Sequence, residues 1–284
     1  SDSTGRRAMR EKRHMFLKRH ARHLKAAAST VLLAAALSVS GCANSKLTTG
    51  SIGKSASNQS LDSMNGQQLL GSRAAIGKAY ERDPKDKDRA LAYANILRMT
   101  GQNDQALAVM RKAAIHHPQD RDVLAAYGKA LAGVGEFKGA LDAIQRAQRP
   151  EYPDWKLLSA EGAILDQLGR PQEARDRYRK ALDLQPNEAS IQSNLGMSYM
   201  LEGDLKTAET YLSAAAQSPG ADSTVRQNWA LVIGLQGRFE EAEQVARREL
   251  SPEQAEANVA YLRGMLAQQN SLSQLKQQDA GNSG

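Results

Sequence analysis

The apolar positions between residues 155 and 188 fall into two blocks with a polar break between them. Leu157, Leu158, Ile164, Leu165 and Leu168 make the first block, and Ala174, Tyr178, Ala181 and Leu182 the second. Spacings of three, four and seven residues put each block on one helix face, so the stretch predicts two amphipathic helices of roughly three turns. Gly169 stands at the break. A helix that ends in a left-handed turn favours glycine there, because a side chain costs about 1 kcal/mol or more.

The block recurs. Gly101, Gly135, Gly169, Gly203 and Gly237 stand 34 residues apart. Five residues after each comes Ala106, Ala140, Ala174, Ala208 or Ala242, and seven before each comes Ala94, Gly128, Gly162, Gly196 or Ala230. A fixed period of this length marks a repeat array. Five units result, at 87–120, 121–154, 155–188, 189–222 and 223–256. The small residues at positions 8 and 20 of each unit let its two helices approach closely. Pro84, Pro118 and Pro186 fall at position 32 and start the next helix, while Pro153 is one residue late and Pro219 one early. The junctions at 149–154 and 217–223 are therefore expected to be irregular.

Upstream, Leu69, Leu70, Ile76 and Ala79 read as the second helix of a degenerate leading unit. Downstream, Ser251, Pro252 and Gln254 spell a helix start, with Ser as N-cap and Pro in the first turn. That helix is expected to run to about Gln269 and close the open end of the array. Residues 270–284 are polar and are expected to be disordered.

Several positions together resemble the tetratricopeptide repeat. In unit three they are Leu158, Gly162, Leu165, Gly169, Ala174, Tyr178, Ala181 and Pro186. In unit four they are Leu195, Gly196, Tyr199, Gly203, Ala208, Leu212 and Ala215. The resemblance implies an all-α fold: a right-handed superhelical solenoid of helix-turn-helix pairs, within a domain at 68–269. Unit five departs from it, with Arg226, Ala246 and Glu249 at positions usually apolar or small. A terminal unit that meets solvent is expected to look like this.

Charge changes the picture at one end only. The chain has 284 residues and a formal net charge of +7. Residues 1–41 hold nine Lys/Arg against two acids, so the remaining 29 basic and 29 acidic residues cancel. A body without net charge or a basic stripe is a poor nucleic-acid binder. From Met15, the expected start of the leader, a basic segment precedes an uncharged run at 26–41. Sixteen residues fall short of the roughly 20 of a spanning helix, which favours a cleaved signal peptide at 1–41. Val39, Ser40, Gly41 and Cys42 resemble the bacterial lipobox, in which the cysteine is acylated and becomes the new N-terminus. Ala43 is not the aspartate of the inner-membrane retention rule, which leans towards the outer membrane. Cys42 is the only cysteine, so neither an intrachain disulfide nor a thiolate metal cluster can form. Residues 42–67, rich in Ser, Gly, Asn and Thr, read as a flexible tether.

No nucleophile elbow, phosphate-binding glycine loop or metal-spaced His/Cys/Asp group stands in the chain. No enzyme activity, cofactor or metal is expected. His116 and His117 read as a helix ending with imidazoles near the C-terminal dipole. The resemblance to tetratricopeptide repeats implies a concave groove lined by the first helix of each unit. Its inward positions are Asp88, Asn95, Arg98, Asp122, Lys129, Asp166, Asn194, Met197, Met200, Gln227 and Asn228. Polar residues with two methionines suit an extended peptide held by side-chain amides. Position 5 holds Leu91, Ala125, Ser159, Ser193 and Gln227, so the basic carboxylate clamp of chaperone-binding members is missing.

The stretches 204–212, 225–243 and 257–262 resemble the Tad (Flp) pilus assembly lipoproteins of the TadD family. That resemblance implies a lipid-anchored scaffold at the outer membrane that helps place or assemble the secretin, with a secretin or other pilus segment in its groove. Two rivals stay open: a scaffold of another envelope assembly system, such as polysaccharide export or cell-wall biogenesis, and a module whose catalytic partner lies on another chain.

Overall fold

A computed structural model of the chain describes residues 66–281. The leader, Cys42 and almost all of the tether lie outside the described residues. Among those residues, every regular element is an α-helix: α1 (Gly66–Arg82), α2 (Lys87–Met99), α3 (Asn103–His116), α4 (Arg121–Gly133), α5 (Phe137–Ala147) and α6 (Trp155–Gln167). There follow α7 (Pro171–Leu184), α8 (Ala189–Leu201), α9 (Leu205–Gln217), α10 (Ser223–Leu235), α11 (Phe239–Ala246) and α12 (Pro252–Gly281).

The 34-residue period governs both ends of these helices. First helices begin at Lys87, Arg121, Trp155, Ala189 and Ser223, the first residue of each unit. Before each stands an acid, Asp86, Asp120, Asp154, Glu188 or Asp222, whose carboxylate accepts from a backbone N–H of the first turn. Such a cap is worth about 1 kcal/mol per helix. In two units the cap also closes the far end of the repeat: Lys87 pairs with Asp120 and Arg121 with Asp154, each at 3.0 Å. Each first helix stops at its ladder glycine, where φ lies between 72° and 87°. The next residue then donates back five positions, as in Gln102 N to Leu97 O at 2.8 Å and Arg170 N to Leu165 O at 2.9 Å. This satisfies carbonyls that the helix end would otherwise strand.

Within a unit, positions 8 and 24 meet. A Cβ placed on Gly128, Gly162 or Gly196 would lie 2.7 Å from Ile144, 2.6 Å from Tyr178 or 2.7 Å from Leu212, respectively. Those three partners are fully buried. Each first helix packs on its own second helix and on the first helix of the next unit, whereas successive second helices do not pack on each other to that extent. The first helices α2, α4, α6, α8 and α10 therefore form the inner layer of the stack.

One irregular junction follows the sequence, and one expectation changes. The connection at 148–154 takes seven residues where 117–120 and 185–188 take four, because α5 stops early, at Ala147. This is the irregular junction that Pro153 signals. The C-terminal stretch is the correction: α12 does not end near Gln269 but continues to Gly281. Residues 270–281 are thus helical and not disordered; 282–284 lie outside the described residues. No proline interrupts the run of helix-compatible Gln, Ser, Leu and Lys. At its start, α12 caps the stack with Ala255, Val259 and Leu262, all buried. Leu262 rests against Gly234 of α10. At the other end, α1 begins at Gly66, two residues before the expected boundary.

Candidate functional site in the inner helix layer

The inner layer changes character along the stack. In the first two units, Asp88 and Asp122 are exposed, and Asn95, Arg98 and Lys129 are half-buried. Among the described residues Asn95 makes only a long contact, 3.8 Å, from its amide to the Met99 sulfur. In the last two units the groove candidates are tied into the protein itself. Asn194 Nδ2 donates to Ser159 Oγ at 3.1 Å, and Asn228 Nδ2 donates to Ser193 Oγ at 3.2 Å. Both pairs join position 6 of one unit to position 5 of the unit before it. Each amide uses one of its two N–H groups in this bond, which fixes its plane and leaves a carbonyl and an N–H for other partners. Gln227 is exposed, and its amide donates to Ser223 Oγ at 2.8 Å. Met197 and Met200 are half-buried and pack on a cluster of Ala208, Leu212 and Val232, so they belong partly to the core.

Asp166 is the most constrained member of the set. Tyr178 donates to its Oδ2 at 3.0 Å, and Ser198, from the next unit, donates to its Oδ1 at 2.8 Å. Burial pushes its carboxyl up to about 6, although both hydrogen bonds and the nearby Arg175 charge favour the ionised form. Arg175 is itself buried, pairs with Glu202 at 2.6 Å and lies 4.6 Å from the centroid of the Tyr199 ring. Tyr199 stacks on Tyr211 with centroids 5.7 Å apart, and its hydroxyl accepts from Arg179. Asp166 thus joins units three and four through a buried network; it is not an open groove contact.

Two further residues matter here. Glu161 is buried and accepts from Gln145 Nε2 and Arg177 Nε, both at 2.9 Å. That carboxylate bridges α5, α6 and α7. It stands at position 7, where the other units hold Tyr93, Tyr127, Leu195 and Trp229, so the break in that apolar column is the signal that could have found it. His117 caps α3, and its Nε2 donates to the Lys85 carbonyl at 2.8 Å. Among the described residues no group of three or more His, Cys, Asp or Glu side chains could hold a metal ion. No helix among them is long and apolar enough to cross a membrane.

The tetratricopeptide-repeat family matches residues 87–130, 160–222 and 230–248. Solved structures share the fold. TTC0263, a thermophilic tetratricopeptide-repeat protein of Thermus thermophilus, is 20% identical, with a TM-score of 0.56. The alignment covers 62% of this chain and 98% of that one. The Cut9–Hcn1 complex of the anaphase-promoting complex is 16% identical over 70% of this chain and 40% of the other, with a TM-score of 0.55. No curated protein matches the sequence. The chain has an all-α tetratricopeptide-repeat superhelical solenoid fold. Stacked repeats of this kind act as protein-interaction scaffolds through their extended concave surface.

Proposed function

We propose that this protein is a lipid-anchored scaffold of the bacterial envelope that holds a protein segment along its inner helix layer. The paired amides carry the groove reading. Asn194 and Asn228 sit one repeat apart, each pre-oriented by a serine of the unit before it. Amides in matching register suit the backbone of an extended segment, and fixing them in advance lowers the ordering cost of binding. Asn95, Arg98 and Lys129 continue the same layer towards the N-terminus, and Gln227 towards the C-terminus. The reading assigns no bond chemistry and no cofactor.

The anchor and the system rest on sequence resemblance. Acylation at Cys42 would hold the solenoid at the periplasmic face of the outer membrane, with 43–65 as spacer. The stretches resembling the TadD family point to the Tad/Flp pilus machinery, and to its secretin or another pilus component as partner. Cys42→Ser should abolish fatty-acid labelling and release the protein from membranes; a variant that stays labelled and bound overturns the anchor. Deleting the protein should reduce secretin multimers and surface pili. Normal multimers and normal piliation would sink the pilus reading and leave another envelope assembly system as the setting. Crosslinkers placed at Asn194 and Asn228 should capture the bound segment.

A further inference from the structure

The irregular junction between units two and three opens a second site, between the connection, the start of α6 and the face of α7 that carries Arg177, Lys180 and Leu184. The connection at 148–154 is stapled rather than loose: the Gln148 side chain donates to the Asp154 carbonyl and accepts from the Asp154 N–H, both at 3.2 Å. Beside it lies a cavity of about 540 Å³, walled by Pro150, Pro153, Leu158 and Leu184. Leu184 is 43% exposed, and Tyr152, in the same connection, is 75% exposed. The polar rim of the cavity is mainly cationic, with Arg149, Arg177 and Lys180 set against a single acid, Asp183. Arg177 is held by the buried Glu161. Among the described residues no carboxylate pairs with Arg149 or Lys180.

We infer that this cavity docks a segment of a partner protein in which an apolar side chain is flanked by carboxylates. The cavity is large enough for one bulky side chain and is lined as binding pockets are, by apolar walls with a few polar groups at the edge. The two unpaired cations supply the complement for acids on either side of that residue, favouring encounter and fixing register. The apolar floor argues against a phosphate backbone, and the body outside the leader carries no net charge to hold one. The neighbouring connections, 117–120 and 185–188, take four residues and carry one proline each, Pro118 and Pro186, where this one carries Pro150 and Pro153. The site is independent of the inner-layer amides, so two segments, or two parts of one partner, could be held at once.

The test uses the full chain and a fluorescein-labelled peptide, Gly-Glu-Asp-Phe-Asp-Glu-Gly, read by fluorescence anisotropy at low ionic strength. One control peptide replaces the four acids with lysine, and another replaces Phe with Ser. Only the first peptide should bind well. Arg149→Glu combined with Lys180→Glu should weaken it about tenfold or more, and Leu184→Ser should weaken it while leaving its salt dependence in place. Gln227→Ala, in the inner layer, should leave it unchanged. All three positions are exposed, and unchanged melting by circular dichroism shows that a loss of binding is not unfolding. The inference is overturned if the acidic peptide fails to bind at millimolar concentration, if the lysine control binds equally, or if neither variant weakens binding. Loss of binding in Gln227→Ala alone would place the peptide in the inner layer and overturn it too.

Discussion

Asn194 donates to the hydroxyl of Ser159 across the boundary between units three and four, at 3.1 Å. Asn228 repeats the bond to Ser193 one unit later. Two functions meet in one contact: it staples successive first helices, and it orients an amide towards the surface that the stack leaves open. Stacked repeats draw their stability from such nearest-neighbour interfaces.

A double-mutant cycle on Asn194→Ala and Ser159→Ala should give a coupling of about 0.5–1.5 kcal/mol in urea unfolding, the net value of a part-buried neutral hydrogen bond. Pairing Asn194→Ala with Asn95→Ala, in a distant unit, should give no coupling. Equal coupling in both cycles would show that the bond plays no specific part in joining the units.

The second expectation concerns Gly162. A Cβ there would come within 2.6 Å of the Tyr178 ring, which is buried and hydrogen-bonded to Asp166. Gly162→Ala should therefore destabilise the domain by about 1–3 kcal/mol through overpacking, outweighing the roughly 1 kcal/mol that alanine gains in a helix. Gly71 is the control, since a Cβ there meets nothing within 4 Å. Gly71→Ala should stabilise the domain or leave it unchanged. Thermal melts of the two variants should move apart.

The repeat was legible because its signals recur. Gly169 could be read as a left-handed helix stop, since four other glycines say the same thing at the same phase. The small residues at positions 8 and 20 were legible for that reason, but not that position 8 meets the side chain at position 24. Features used once stayed hidden. Glu161 breaks an apolar column (Tyr93, Tyr127, Leu195, Trp229), but the break does not name its partners, because Gln145 and Arg177 come from two different helices. The groove positions could be placed on the inner helices, but not their engagement. That Asn194 and Asn228 spend an N–H on the neighbouring unit depends on serines at position 5, one repeat away in sequence. The C-terminal helix was cut short because polar composition was read as disorder, although a solvated helix has the same composition.

Arg226 and Glu249 show how two departures from a pattern can explain each other. Each breaks the repeat signature in unit five, and on sequence alone each looks like a residue turned to solvent. In the structure they form an ion pair, with side chains 29% and 16% exposed, and Arg226 also donates to the Ala221 carbonyl at 2.9 Å. The pair stands where unit three has Leu158 and Ala181. Removing either partner should cost more stability than removing both. The coupling between Arg226→Leu and Glu249→Ala should be about 1 kcal/mol, shrinking in high salt. Additive losses would mean that the two residues act separately.

Asp166 should make the solenoid's stability depend on pH in the direction opposite to an ordinary paired carboxylate. Its carboxyl rises from the usual 3.8 to about 6, first because burial disfavours the charge. Between those two values the unfolded chain has released the proton while the folded chain retains it. The folded state then binds more protons, so this group's contribution is complete below about pH 4 and is lost as pH rises through 6, by about 2–3 kcal/mol. Other carboxylates work the other way: Asp120, for example, is held low by the Val123 N–H and by Lys87 against its own burial. A difference measurement is therefore needed. Urea unfolding of the wild type and of Asp166→Asn from pH 4 to pH 7 should show the variant gaining relative stability as pH rises, most steeply near 5, between the two values, and levelling off above 6. Asparagine keeps the size of the side chain and an acceptor for Tyr178 or Ser198, and it removes the titration. A constant difference across the range would mean that Asp166 does not titrate in this window.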